Sequence, residues 1–158
     1  MTATMPKETT LEERVLDWTE QLCEALENQY VRYHKRMIEA NAERFNGDGS
    51  RKDLSDYANK QLKEIEDGTF KGIKFRIESG RKYYKIIQQD FDTFRDRNEY
   101  RDGGVHAFVD RNTGEVYKPA SWKSPAKHVR YDMRIINHRE FLHNPDNISW
   151  SGGYLYMR

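Results

Sequence analysis

The sequence predicts an α+β fold in which a two-helix hairpin, its first helix long, precedes an antiparallel sheet of four or more strands. Three observations predict it. Apolar residues recur every three or four positions from Leu11 to Met37, the period switches to alternation after Gly68, and turn-forming residues cluster at the junctions. A chain of 158 residues suits one domain, 1–158, with the helical hairpin at 8–68 and the sheet, ending in a basic segment, at 69–158.

The first helix is expected to start near Thr10. Thr10 followed by Glu13 has the capping-box spacing, in which a hydroxyl and a carboxylate satisfy the N–H groups that a helix start leaves unpaired. Leu11, Val15, Trp18, Leu22, Leu26, Tyr30, Tyr33 and Met37 then line one face of a helix reaching Glu43 or Phe45. Such a helix is about 50 Å long at 1.5 Å per residue, more than a domain of this size buries against itself. Self-association through it is therefore expected. Asn46–Ser50, "NGDGS", supplies a turn and a candidate N-cap at Ser50. Leu54, Ala58, Leu62 and Ile65 mark the face of a second helix, which Gly68 terminates in the left-handed region.

Strands follow. From Phe70 to Glu78, the apolar Ile73, Phe75 and Ile77 alternate with Lys74 and Arg76, which gives one buried face. After a turn at Gly80, Lys82 to Ile87 ("KYYKII") reads as a second strand from its aromatic and β-branched content. Gln88 to Gly104 is polar, charged and poorly periodic, and reads as a long loop. Val105–Val109 and Glu115–Lys118 make two more strands, joined by "DRNTG", where Asn112 and Gly114 suit positive backbone angles. Beyond Trp122, "MRIINHREFL" fits a short helix or a strand, and "SWSGGYLYM" fits an added edge strand.

Composition narrows the class. Charged residues at 34% nearly equal the hydrophobic 36%, while 13% aromatic residues favour a folded chain. The lone Cys23 makes no internal disulfide and reads as a packed thiol in a reducing interior. No apolar run has the length of a membrane span and the N-terminus lacks a signal-peptide core, so a soluble cytoplasmic protein is expected. The net charge of +1 hides a division: Met1–Gly68 holds 10 Lys/Arg against 15 Asp/Glu, and Thr69–Arg158 holds 17 against 11. A basic half of this kind binds an anion, or the acidic half of another copy.

Catalytic signatures are missing from the sequence. There is no nucleophile elbow and no phosphate-cradling loop, and His106, His128, His138 and His143 lack the spacing of a zinc-binding helix. Carboxylates such as Asp90, Asp92, Asp96 and Glu99 lie among Arg95, Arg97 and Arg101, as solvated charge does. A non-enzyme without metal or cofactor is expected. Anion binding has more to support it. Between Lys118 and Arg139, the cations Lys118, Lys123, Lys127, Arg130, Arg134 and Arg139 face only Asp132, and Trp122, His128 and Tyr131 are interleaved with them. Lys and Arg neutralise phosphates while an aromatic face stacks a base. The same face also serves as plain solvated surface, or as a partner for a neighbour's acidic helices. Phe108 is either exposed for stacking or core, according to strand register.

The stretch Val105–Tyr131, "VHAFVDRNTGEVYKPASWKSPAKHVRY", preceded by "KYYKII", resembles a "VHxFVDxxTGxVYKxASW" hairpin module of small tailed-bacteriophage proteins. The order of two helices, antiparallel sheet and basic C-terminal segment also resembles the phage anti-Thoeris sponge family, oligomers that hold cyclic ADP-ribose signals without degrading them. That likeness implies an anti-defence protein in the host bacterial cytoplasm that sequesters a cyclic nucleotide. The cations would be Arg130, Lys127 and Lys118, with Phe108, Tyr117 or Trp122 on the base. A nucleic-acid or host-protein binding accessory protein, or a virion structural protein, is the alternative expectation.

Overall fold

In a computed structural model that describes residues 9–42 and 54–156, the chain is an α+β fold: a long helix, a second helix and a five-stranded antiparallel sheet. Helix α1 spans Leu11–Ala42, and the Thr10 hydroxyl accepts the Glu13 N–H at 3.1 Å, as the capping pattern predicts. The expected end at Glu43 or Phe45, the "NGDGS" turn and the Ser50 cap lie outside the described residues. Helix α2 runs over Asp56–Asp67 behind an N-cap at Ser55, whose side chain accepts from Ala58 N. Leu54 thus precedes the helix rather than lying on its face. Gly68 closes α2 at φ 76°, a left-handed conformation that glycine adopts without steric cost.

The strands are β1 (Lys74–Ser79), β2 (Tyr83–Asp92), β3 (Glu99–Asp110), β4 (Glu115–Tyr117) and β5 (Tyr131–Asp132), side by side in chain order. The expected loop from Gln88 to Gly104 is instead the outer half of a long hairpin. Asp90 pairs with Arg101 and Phe91 with Tyr100, with a short 3-10 turn at Phe94–Asp96 between the strands. Both faces of this extension are largely solvated, so apolar alternation disappears and cross-strand pairs hold it: the Phe91 and Tyr100 rings meet at 5.1 Å, and Arg97 and Arg101 lie 3.5 and 3.3 Å from Asp92. Arg76 of β1 grips Asp102 with two nitrogens and holds that carboxyl down to about 2.

The β3–β4 turn is built on Asp110, whose carboxylate accepts the Asn112 and Thr113 N–H groups. Gly114 has φ 79°, but Asn112 does not share the positive angle expected of it. "MRIINHREFL" resolves as helix α3, Ile136–Leu142, and "SWSGGYLYM" ends in a 3-10 turn at Gly153–Leu155 rather than an edge strand.

One face of the sheet packs on α1. Val15, Leu22 and Leu26 meet Phe75, Tyr84, Ile86, Ala107, Val109 and Val116, and the layer is closed below by Met133, Leu142, Ile148, Tyr154 and Leu155. Each such side chain contributes about 1.5–3 kcal/mol on burial. The far end of α1 is covered less: Phe70, just after α2, stacks on His34 at 4.9 Å, while Tyr33, Met37 and Tyr57 are exposed. Among the described residues no helix is long and apolar enough to cross a membrane.

Candidate functional site

The second face of the sheet carries the candidate site. Strand register aligns Glu78, Lys85, Phe108 and Tyr117 in one row across β1 to β4, all pointing away from α1. Phe108 is nevertheless only 2% exposed. Tyr83 meets its ring edge-on at 5.8 Å, the Lys85 ammonium lies 5.8 Å from its centroid, and Tyr83 also contacts Tyr117 at 6.0 Å. Phe108 is therefore a buried floor and offers no open ring for stacking. Ile87, on the same face, is fully buried.

An arch from Lys118 to Ala126 covers this row. Pro119 and Pro125 bridge its ends, Ala126 N–H donates to the Lys118 carbonyl at 2.8 Å, and the Ser121 hydroxyl accepts the Lys123 and Ser124 N–H groups at its tip. Prolines that lack an N–H do no harm here, because the arch is an edge segment. Its tip brings Trp122 over Lys85, with the ammonium 4.8 Å from the indole centroid. Trp122 itself is 45% exposed. Lys85 also lies 3.5 Å from Glu78, which Arg76 approaches at 3.7 Å.

Beside this cluster opens a cleft of about 280 Å³, walled by the β1–β2 turn on one side and Lys123 of the arch on the other. Arg81, Lys82, Lys85 and Lys123 line it against a single carboxylate, Glu78. With four cations against one carboxylate among the described lining residues, and Tyr83 and Phe108 also in the lining, the cleft is a positive concavity suited to a phosphate attached to a ring system. The turn is fixed from behind: Arg111 donates to the Gly80 carbonyl at 2.6 Å and to Glu12 at the start of α1, with its guanidinium 4.9 Å from the Tyr84 ring.

Of the residues expected from sequence, Phe108, Tyr117 and Trp122 lie on this face, and of the three Phe108 lines the cleft. The three expected cations do not line the cleft. Lys118 places its ammonium 4.4 Å from the Tyr156 ring, Lys127 is exposed, and Arg130 is half-buried with its backbone N–H on the Val116 carbonyl. Lys123 is the basic-segment residue that reaches the cleft. Arg81, Lys82 and Lys85 are not among the residues expected from sequence, although "RKYYK" brackets two tyrosines with three cations. Among the described residues no group of three or more His, Cys, Asp or Glu could hold a metal ion. His106 instead bonds the Tyr154 hydroxyl at 2.7 Å, and His143 the Trp18 carbonyl at 2.9 Å.

Residues 1–157 match a family described as "Family of unknown function (DUF7717)". No curated protein and no solved structure matches the chain.

Proposed function

The chain belongs to DUF7717, a family of unknown function, and from its own surfaces we propose a non-catalytic binding protein that captures a phosphorylated, ring-bearing ligand in the cleft between the β1–β2 turn and the arch. One observation carries this reading: Arg81, Lys82, Lys85 and Lys123 line one cleft, and Lys85 also lies under the ring of Trp122, the residue before Lys123 in the arch. Arg81, Lys82 and Lys123 would neutralise phosphate, Lys85 would bridge phosphate and ring, and Trp122 would stack the base, a contact worth about 1–3 kcal/mol. Holding such a guest requires no bond cleavage. Taken with the resemblance to phage sponge proteins, the ligand we propose is a cyclic nucleotide immune signal of the cyclic ADP-ribose type, sequestered in the cytoplasm of an infected bacterium. Self-association is assigned to the exposed end of α1 and α2 at Tyr33, Met37 and Tyr57.

The test mixes purified protein with cyclic dinucleotides and cyclic ADP-ribose isomers, measures retention by equilibrium dialysis, and recovers the ligand after heat denaturation. Unchanged ligand from wild type, and at least about tenfold weaker retention by Lys85→Glu with the same circular dichroism, are expected. A converted ligand, or equal retention by the variant, refutes the reading. A nucleic acid tracking the same cations is told apart by salt: a polymer contacting several phosphates loses affinity steeply with ionic strength, a small enclosed ligand far less.

A further inference from the structure

A larger cleft of about 700 Å³ lies at the other end of the molecule, between α3 and the chain after it, and its chemistry differs from that of the basic site. Tyr131 and Phe141 form one wall, nearly parallel at 18° with centroids 5.5 Å apart, and Ile148 and Tyr154 form an apolar floor. Besides Asp146, four polar side chains line this surface: Asn137, His138, Asn147 and Ser149, whose hydroxyl already accepts the Gly153 N–H at 3.1 Å. The Asn137 carboxamide is exposed and engaged by none of the described residues. Asn147 makes one long contact, 3.4 Å to the Phe141 carbonyl. The His138 Nδ1 accepts the Asp132 backbone N–H at 3.0 Å, so the neutral ring carries its proton on Nε2. Among the described residues no Lys or Arg lines the cleft, and the one charged lining residue is Asp146, paired at 3.0 Å with Arg32.

We infer that this cleft is a second binding site, for an uncharged planar heteroaromatic compound with hydrogen-bonding edges, of the nucleoside class. The volume lies within the range of small-molecule sites, about 300–1,000 Å³. A phosphate would meet the Asp146 carboxylate, whose partner Arg32 lies outside the lining, so the cleft disfavours the ligand class assigned to the basic one. A purely apolar guest would cover the two carboxamides and the His138 N–H without partners, at about 1–3 kcal/mol for each group left unsatisfied. A base supplies both a π-face for the exposed Phe141 ring, which Tyr131 backs, and a paired donor and acceptor for Asn137, the pairing that carboxamides make with an adenine edge.

The full-length protein is titrated calorimetrically with adenosine, guanosine, cytidine, uridine, adenosine 5′-monophosphate and indole. Expected are a nucleoside dissociation constant below about 1 mM, weaker binding of the monophosphate, and about tenfold loss in Asn137→Ala, an exposed position whose variant is checked by circular dichroism. No nucleoside binding at about 1 mM overturns the inference, as do equal binding by Asn137→Ala, tighter binding of the monophosphate, or indole binding as well as adenosine. Lys85→Glu is expected to leave nucleoside binding intact. If it abolishes binding, the nucleoside sits on the basic face and this second site falls.

Discussion

Lowering the pH should destabilise the fold through one side chain, His106. β3 bulges at this point: Ile86 pairs with Ala107 and Ile87 with Val105, so His106 is the unpaired extra residue, turned toward the helical side. There it meets the Phe75 ring edge-on at 5.1 Å and the Tyr154 hydroxyl at 2.7 Å, with Gly152 packed against it closely enough that a Cβ there would lie 3.7 Å from the imidazole. Burial pulls its pKa down to about 4 from an ordinary 6.5. Its titratable neighbour Tyr154 is pushed well above its own ordinary value by burial and stays protonated throughout. The unfolded chain therefore binds more protons than the folded one between about pH 6.5 and pH 4, and stability falls as pH falls through that window. At about pH 4.5 the cost is about 2–3 kcal/mol, from about 1.4 kcal/mol per pH unit over roughly two units. Urea unfolding at about pH 7.5 and about pH 4.5 measures it, with His106→Gln as the comparison, since Gln keeps a polar atom toward Tyr154. His143 is also shifted down by burial and Glu27 is shifted up, so the difference between the two proteins is the quantity to read. Wild type should lose about 2–3 kcal/mol more than the variant on acidification. Equal losses would show that His106 takes its proton without leaving the folded state, and the burial reasoning would fail.

Two further outcomes follow from packing. Phe108→Ala should cost about 3–5 kcal/mol in the same unfolding experiment, the loss of a core ring, although Phe108 lies on the face away from α1; a loss below about 1 kcal/mol would mean that the arch does not seal it. Cys23 is buried against the sheet and its thiol is raised by burial and by Glu27 and Glu20, so an aromatic disulfide reagent should leave it unmodified in the native protein and titrate one thiol after denaturation. Rapid native labelling would show α1 detaching.

The sequence made some of this legible and not the rest. Helix α1 could be read because its burial is one-sided: Val15, Leu22 and Leu26 repeat at helical spacing and are all fully buried. The strands around Val105–Val109 could be read because they lie over the core. The outer half of the β2–β3 hairpin could not, since a strand wet on both faces is selected by its neighbours across the ladder, Asp90 with Arg101 and Phe91 with Tyr100, and these lie eleven and nine residues apart. The site divides likewise. Trp122 and Tyr117 were visible as rings among cations, but Lys85 joins them only through its register with Phe108 and through the Ser121 hydroxyl that shapes the arch. Spacing along the chain contains neither fact. Lys118, which composition put among the ligand cations, is drawn to Tyr156 by chain reversal near the C-terminus.

Arg111 gives the molecule a mechanical property. A single guanidinium ties the β1–β2 turn, through Gly80, to Glu12 in the first turn of α1, and rests on Tyr84 in between. The rim that presents Arg81 and Lys82 is thereby geared to the near end of a 32-residue rod whose other end carries exposed rings. Glu12, Arg111 and Gly80 thus form one run of hydrogen bonds from the helix start to the cationic lip, made outside the strand ladder.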